Sequence, residues 1–269
     1  MSLIISKQLI FHFFSDRSNF TDDSIITVAV AKWLLSDPAH TFEKLEEYMV
    51  EFGQQFPCPM GGYGGGYLRW LFHPEELKTY GDDVCLKSGR RPYNSWGNGS
   101  AMRVSAVGWY FDTLEDTLEM AKRSAEITHN HPEGIKGVQA TAAAIFMGRN
   151  GKSKQEIKKY VSDTFGYNLD RTCAEIRPFY EFDGSCQGTV PEAIVAFLDS
   201  TDFESAIRLA VSLGGDSDTL TCITGGIAEA FYKEIPKDIV DHVYSLLPLN
   251  FKDILGQLYS NKANVVRFV

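Results

Sequence analysis

The 269-residue sequence has only five cysteines, Cys58, Cys85, Cys173, Cys186 and Cys222, an odd number with no C-x-x-C pair. That scatter excludes a disulfide framework and a cysteine-held zinc site, and it points to a reducing, cytoplasmic setting. No apolar run is long enough to span a bilayer, and the first residues lack the charged-then-apolar pattern of a secretory leader, so no membrane partner is expected. Cations are outnumbered: 26 Lys and Arg stand against 35 Asp and Glu, a net charge of −9. With no clustered Lys/Arg stripe to meet a phosphate backbone, nucleic acid is not an expected partner. Strand-like alternation is scarce. No fixed-period repeat, low-complexity tract or linker divides the chain, so residues 1–269 are read as one domain.

Helix signals fill the space left by those absences. "TDDSIITVAVAKWLLS" opens on Thr21 as N-cap and keeps helical apolar spacing through Leu35, until Asp37-Pro38 stops it. Capping-box spacings recur at Asp112/Glu115, Ser153/Glu156 and Thr201/Glu204. "HPEGIKGVQATAAAIFMG" places Pro132 in a first helical turn, and its small residues Ala140, Ala142, Ala143 and Ala144 suit a central buried helix. The fold class is therefore all-α. Three glycine-rich loops interrupt it: "PMGGYGGGYLRW", "NSWGNGSAMR" and "LGGDSD".

Two of these features carry charge that needs an explanation. Asp22 and Asp23 follow Thr21 at a helix start, and Asp216 and Asp218 precede another helical run beside Thr219. Four carboxylates and two hydroxyls form a hard-oxygen set suited to Mg²⁺, Mn²⁺ or Ca²⁺ rather than zinc. One ion would not neutralise four such charges, whereas two ions about 4 Å apart would. A cap or dipole role explains either pair alone, but not why Gly214 and Gly215 box the second. Paired aspartates also occur in isoprenoid-type diphosphate enzymes. Those favour D-D-x-x-D, and the third position after Asp23 here is Ile26.

The stretches "FTDDSIITVAVAKWLL", "YNSWGNGSAMRVSAVGWYF", "THNHPEGIKGVQATAAAIFMGR" and "CQGTVPEAIVAFLDSTDFESAIRLAVSLGGDSDTLTCITGGIAEAFY" resemble, in order, the ADP-ribosylglycohydrolase family that includes dinitrogenase reductase-activating glycohydrolase. The resemblance spans most of the chain from Phe20 to Tyr232. It implies an all-α fold with a dimagnesium or dimanganese cleft whose ligands are Thr21, Asp22, Asp23, Asp216, Asp218 and Thr219. It also implies an ADP-ribose loop at Gly97, Asn98, Gly99 and Ser100 with backbone N–H groups toward the diphosphate, a ligand contact from His129, and a substrate wall at Gly214 and Gly215. Gly64, Gly65 and Gly66 are candidates to wall the cleft, and Tyr63, Tyr67, Trp70 and Trp96 to stack on adenine or to fill the core. His131 is an orienting or core residue as much as a ligand contact. Arg103 is expected to pair with an acidic residue, and Cys222 to pack between helices.

The reaction so implied cleaves ADP-ribose from a modified protein side chain or a related small conjugate, with Asp22 or Asp23 accepting the proton of the attacking water. Relatives carry a Gly-Asp-x-x-Gly helix near the start that is not found before about residue 20 here. The apolar Leu3 to Phe14 stretch is then expected to cover part of the core, or to pair two subunits as a homodimer. The alternative function is a catalytically weakened ADP-ribose-binding regulator.

Overall fold

The computed structural model describes residues 7–77, 86–261 and 267–268. Cys85 and the Leu3–Ser6 part of the apolar N-terminal stretch lie outside them. The described residues form fourteen α-helices joined by loops, with a single two-residue parallel pairing of Glu234–Ile235 and Arg267–Phe268. The all-α expectation is met.

Helix α1 (Asp22–Ser36) starts after Thr21 in extended backbone and stops before Pro38, as the spacing required. Its residues are apolar on every side, and Ile25, Ala29, Val30 and Trp33 are completely buried. It is a core helix rather than an amphipathic surface one. Helices α2 (Phe42–Gln55) and α3 (Gly65–Phe72) pack beside it, and the short α4 (Gly99–Met102) and α5 (Ser105–Tyr110) follow.

Helix α6 (Leu114–Glu126) leads into α7 (Pro132–Arg149), which touches α4, α5 and α6 on one side. On its other side lie α8 (Lys154–Phe165), α10 (Cys186–Asp199) and α12 (Ser217–Tyr232), with α9 (Cys173–Ile176) and α11 (Phe203–Leu213) between them in the chain. Ala140, Ala142, Ala143 and Ala144 are all fully buried on α7. At Gly137 an added Cβ would stand 2.5 Å from the Cys186 sulfur, so small residues set the α7–α10 approach. Two apolar clusters flank α7, one around α1 and one around α10 to α12. Helices α13 (Lys237–Leu246) and α14 (Leu249–Asn261) close the chain, α14 against α1.

Two expected caps move by one residue. The N-cap of α6 is Thr113, whose hydroxyl accepts from Asp116 N at 3.1 Å, and that of α11 is Asp202, whose carboxylate accepts from Ser205 N at 2.7 Å. In each case the residue beside the expected one offers the better-placed acceptor. The Ser153/Glu156 box on α8 forms as expected, with both reciprocal bonds present. Ser153→Ala should therefore lower stability by about 1 kcal/mol, read as a shift in the urea midpoint without a change in slope.

Candidate active site

The loops before α3, α4, α10 and α12 open onto one cleft of about 1190 Å³, which the start of α1 also lines. Pairing of single residues holds its walls. Thr21 bridges Met60 in parallel fashion, and Gly97 bridges Ser185 antiparallel, with Asn98 N donating to Gly184 O at 2.8 Å and Cys186 N to Trp96 O at 2.8 Å. The start of α1 is thus tied to the glycine-rich loop before α3, and the Gly-Asn-Gly turn to the start of α10.

The two aspartate pairs meet in this cleft although almost 200 positions of sequence separate them. Thr21, Asp22, Asp216, Asp218 and Thr219 line it, and Asp23 lies just behind, buried. Thr21 does not cap α1 with its side chain. Its hydroxyl donates to Asp23 Oδ2 at 2.9 Å, leaving Asp23 Oδ1 buried without a partner. Burial, then the charges of Asp23 and Asp218, push the Asp22 carboxyl up to about 8. Burial and Asp218 push Asp23 up to about 6, against the hydrogen bond from Thr21. Asp216 is raised by burial and by Asp218, while the Asn98 amide works the other way. Carboxyls held up by partial burial and by neighbouring like charges, with Asp218 itself exposed to the cleft, are a signature of a missing counter-charge.

Those observations fit divalent cations: the donors are hard oxygens, and one of them is an orphan. The aspartates are not drawn into a closed cage, however. Among the described residues, the side chains with three ligand atoms within 4.8 Å of one another are the exposed His73, Glu75 and Glu76, none of which lines the cleft. An exposed group of one histidine and two glutamates on a surface turn is common without an ion.

The Gly-Asn-Gly turn departs from expectation. Gly97 N donates to Ser95 Oγ at 3.1 Å and Asn98 N to Gly184 O, so neither amide is offered to a ligand. Gly99 and Ser100 supply the first two N–H groups of α4, which have no acceptor within the helix by position. The Asn98 side chain instead reaches the acidic cluster, donating to Asp216 Oδ2 at 2.6 Å and to Thr189 Oγ1 at 3.1 Å. Ser100 points away from the cleft, its hydroxyl donating to Gly134 O at 3.0 Å. His129 does line the cleft, beneath Gly97 and Gly99.

Glycine is required at the second acidic turn. Gly214 and Gly215 have φ of +79° and +64°, and a Cβ at Gly215 would lie 2.6 Å from the Tyr180 ring and 2.9 Å from Glu181 O. Gly215→Ala should therefore cost roughly 1–3 kcal/mol, measurable by thermal melting, and should displace the 180–182 segment from the cleft wall.

The remaining candidates divide. Gly64, Gly65 and Gly66 line the cleft, and Gly66 must be glycine because a Cβ would meet the Tyr93 ring at 2.7 Å. Tyr63 and Tyr67 bury their rings and donate to Phe56 O at 2.9 Å and Met49 O at 3.2 Å, and Trp70 is fully buried. Trp96 is the exposed aromatic of the four, 52% accessible beside the Gly-Asn-Gly turn. His131 caps α7 through Nδ1, which accepts from Glu133 N at 3.1 Å. Arg103 is buried but has no acidic partner among the described residues; it donates to Ser124 O and Thr128 Oγ1, each at 2.8 Å. Two dipoles meet its Nη2 in place of a carboxylate, while its buried Nε has no hydrogen-bond partner among the described residues. Cys222 donates to Met102 O at 3.2 Å, a packing role.

Sequence reading missed Lys7, Tyr180, Glu181 and Phe182, which complete the rim. Lys7 Nζ donates to the carbonyls of Arg177 and Tyr180 at 2.7 and 2.6 Å, tying the N-terminal segment to that wall. No periodicity marks such loop residues; the aromatic and acidic run "FYEFDG" was the available signal.

A family model described as ADP-ribosylglycohydrolase matches residues 5–264. The chain is 25% identical to ADP-ribosylhydrolase ARH3 of Mus musculus over 81% of its own length and 71% of the relative's. To the Bos taurus ARH3 it is 27% identical over 81% and 72% of the two chains. ADP-ribosylarginine hydrolase Tri1 of Pseudomonas putida is 25% identical over 51% of this chain and 38% of its own. Among solved structures, an ADP-ribosylglycohydrolase-related protein complex superposes with a TM-score of 0.66 at 21% identity, over 91% of this chain and 82% of that one, which is a likeness of fold. Among the described residues no helix is long and apolar enough to cross a membrane.

Proposed function

The chain belongs to the ADP-ribosylglycohydrolase family, and from that premise we propose that it hydrolyses the glycosidic bond between ADP-ribose and a modified protein side chain or related conjugate, using two divalent cations, Mg²⁺ or Mn²⁺. The observation that carries the reading is the meeting of Asp22 and Asp23 with Asp216 and Asp218 in one cleft, each pair raising the carboxyls of the other. Relatives named as hydrolases of ADP-ribosyl groups support the substrate class.

Thr21, Asp22, Asp23, Asp216, Asp218 and Thr219 would hold the ions. When bound, these would polarise ribose hydroxyls and lower the pKa of a coordinated water. The chain's own groups do the rest. Asp22 lines the cleft whereas Asp23 is buried behind it, so Asp22 is the carboxylate that reaches a water attacking the anomeric carbon and takes its proton. That water oxygen adds to the anomeric carbon as the bond to the acceptor breaks, and the acceptor leaves with a proton returned from Asp22, which restores the carboxylate. Asn98 holds Asp216 in place, and the Gly99 amide at the start of α4 meets diphosphate charge without any basic patch.

The test is release of free ADP-ribose from ADP-ribosylated acceptors bearing arginine, serine or other linkages, with Mg²⁺, Mn²⁺ or a chelator. Release that requires metal supports the reading. Tight ADP-ribose binding with no release from any acceptor would replace it with a binding role.

A further inference from the structure

We propose that Thr128 and Arg103 are positioning residues that lock His129 as its Nε2–H tautomer, a fixed hydrogen-bond donor on the cleft floor beneath Gly97 and Gly99. Arg103 Nη2 spends its two N–H groups on Ser124 O and Thr128 Oγ1, both at 2.8 Å, so the Thr128 oxygen must accept there. Thr128 then has one O–H to give, and two atoms within reach: Ala125 O at 3.5 Å and His129 Nδ1 at 2.8 Å. The Ala125 carbonyl already accepts from Thr128 N at 2.9 Å and His129 N at 2.7 Å, which occupies both of its lone pairs. The hydroxyl proton therefore goes to His129 Nδ1. A ring nitrogen that accepts a hydrogen bond is bare, and in a neutral imidazole the proton is then on Nε2.

The charged form of the ring does not fit. It would put a second donor against Thr128 Oγ1 and strand the threonine proton, in a place where burial and the Arg103 charge hold His129 well below its usual range. The ring is also fixed in space. Tyr93 packs edge-on at 5.7 Å, and a Cβ at Gly99 would stand 3.1 Å from Nε2, so the Gly99 backbone approaches that nitrogen because it carries no side chain. His129 is thus neither a proton shuttle nor a cation. It presents one N–H toward the cleft, suited to a phosphate or ribose oxygen and hostile to another donor. The identity of that oxygen as part of ADP-ribose rests on the function proposed above; the tautomer does not.

The test uses the full chain labelled with ¹⁵N-histidine, the His129 ring being assigned by its disappearance in His129→Gln. Ring spectra should show the proton on Nε2 and a hydrogen-bonded, unprotonated Nδ1. Thr128→Val should move the Nδ1 resonance as that bond is lost, and Thr128→Ser should restore it. A proton on Nδ1 in the wild type, or an Nδ1 resonance indifferent to Thr128→Val, overturns the proposal. Should Thr128→Val fail to fold, since it leaves a buried Arg103 N–H unpaired, the wild-type and Thr128→Ser spectra decide. Titration calorimetry with ADP-ribose should show roughly three- to tenfold weaker binding in Thr128→Val and near wild-type binding in Thr128→Ser. A shifted Nδ1 resonance with unchanged ADP-ribose affinity upholds the tautomer and counts against the ADP-ribose reading instead.

Discussion

Asp218→Ala is expected to abolish the response of the protein to Mg²⁺ or Mn²⁺ and to lower turnover at least about 100-fold, while the helical circular-dichroism signal stays intact. The effect is large because Asp218 is the common neighbour: its charge raises Asp22, Asp23 and Asp216 alike. In the wild type, an ion at 100 times its dissociation constant should stabilise the fold by about 2.7 kcal/mol, which for a chain of this length is roughly 5–10 °C in melting temperature. That gain should vanish in the variant. Without metal the sign reverses, because removing one of four crowded like charges relieves repulsion, so metal-free Asp218→Ala should melt at or above the metal-free wild type. Melting curves of both proteins with and without metal check all three statements. A variant that keeps the wild-type metal-dependent shift would remove Asp218 from the ligand set.

The metal-free wild type should lose stability as pH rises from about 5 to 8, the opposite of the usual behaviour of paired carboxylates. The sign follows from proton binding. Asp22 and Asp23 are raised to about 8 and about 6 in the folded chain, above their ordinary unfolded values, so between those limits the folded state binds more protons than the unfolded one. Stability contributed by the protonated forms is present at low pH and is lost as pH climbs through 6 and then 8. Asp23, almost wholly buried, gives up roughly 1.4 kcal/mol of this between pH 5 and 8, about 3–6 °C in melting temperature, the rest of its contribution being lost below pH 5. Bound cations must displace the same protons, so their affinity should rise across the same window. Melting temperatures at fixed ionic strength from pH 5 to 8, in chelator and in Mg²⁺, read both trends. A metal-free curve that stays flat or rises would mean that the four carboxyls do not crowd one another in the folded chain.

How much of this was legible in the sequence depends on where each residue sits. Helices were readable because their periodicity and stop signals are local: Thr21 to Pro38 bounded α1, and Pro132 with the alanine run marked α7. Caps slipped by a residue where neighbours compete, as Thr113 beside Asp112 and Asp202 beside Thr201. The two aspartate pairs stood out because carboxylates at a helix start beside glycine and threonine need a reason, and the structure brings them together. What could not be read was the direction of each group in the Gly-Asn-Gly turn. The family resemblance implied four amides facing a ligand, but Gly97 and Asn98 spend theirs on Ser95 and Gly184, and Asn98 turns its side chain to Asp216 across more than a hundred positions. Long-range pairing of that kind leaves no local pattern. For the same reason the rim residues Lys7, Tyr180 and Phe182 emerge only once the segments are folded against each other.

Anomalous diffraction from a crystal grown with Mn²⁺ bears most directly on the claim that both acidic segments serve one metal site. Two peaks in the cleft, each against oxygens drawn from Thr21 to Asp23 and from Asp216 to Thr219, are the predicted result. An empty cleft, or manganese held only by the exposed His73, Glu75 and Glu76, would contradict it.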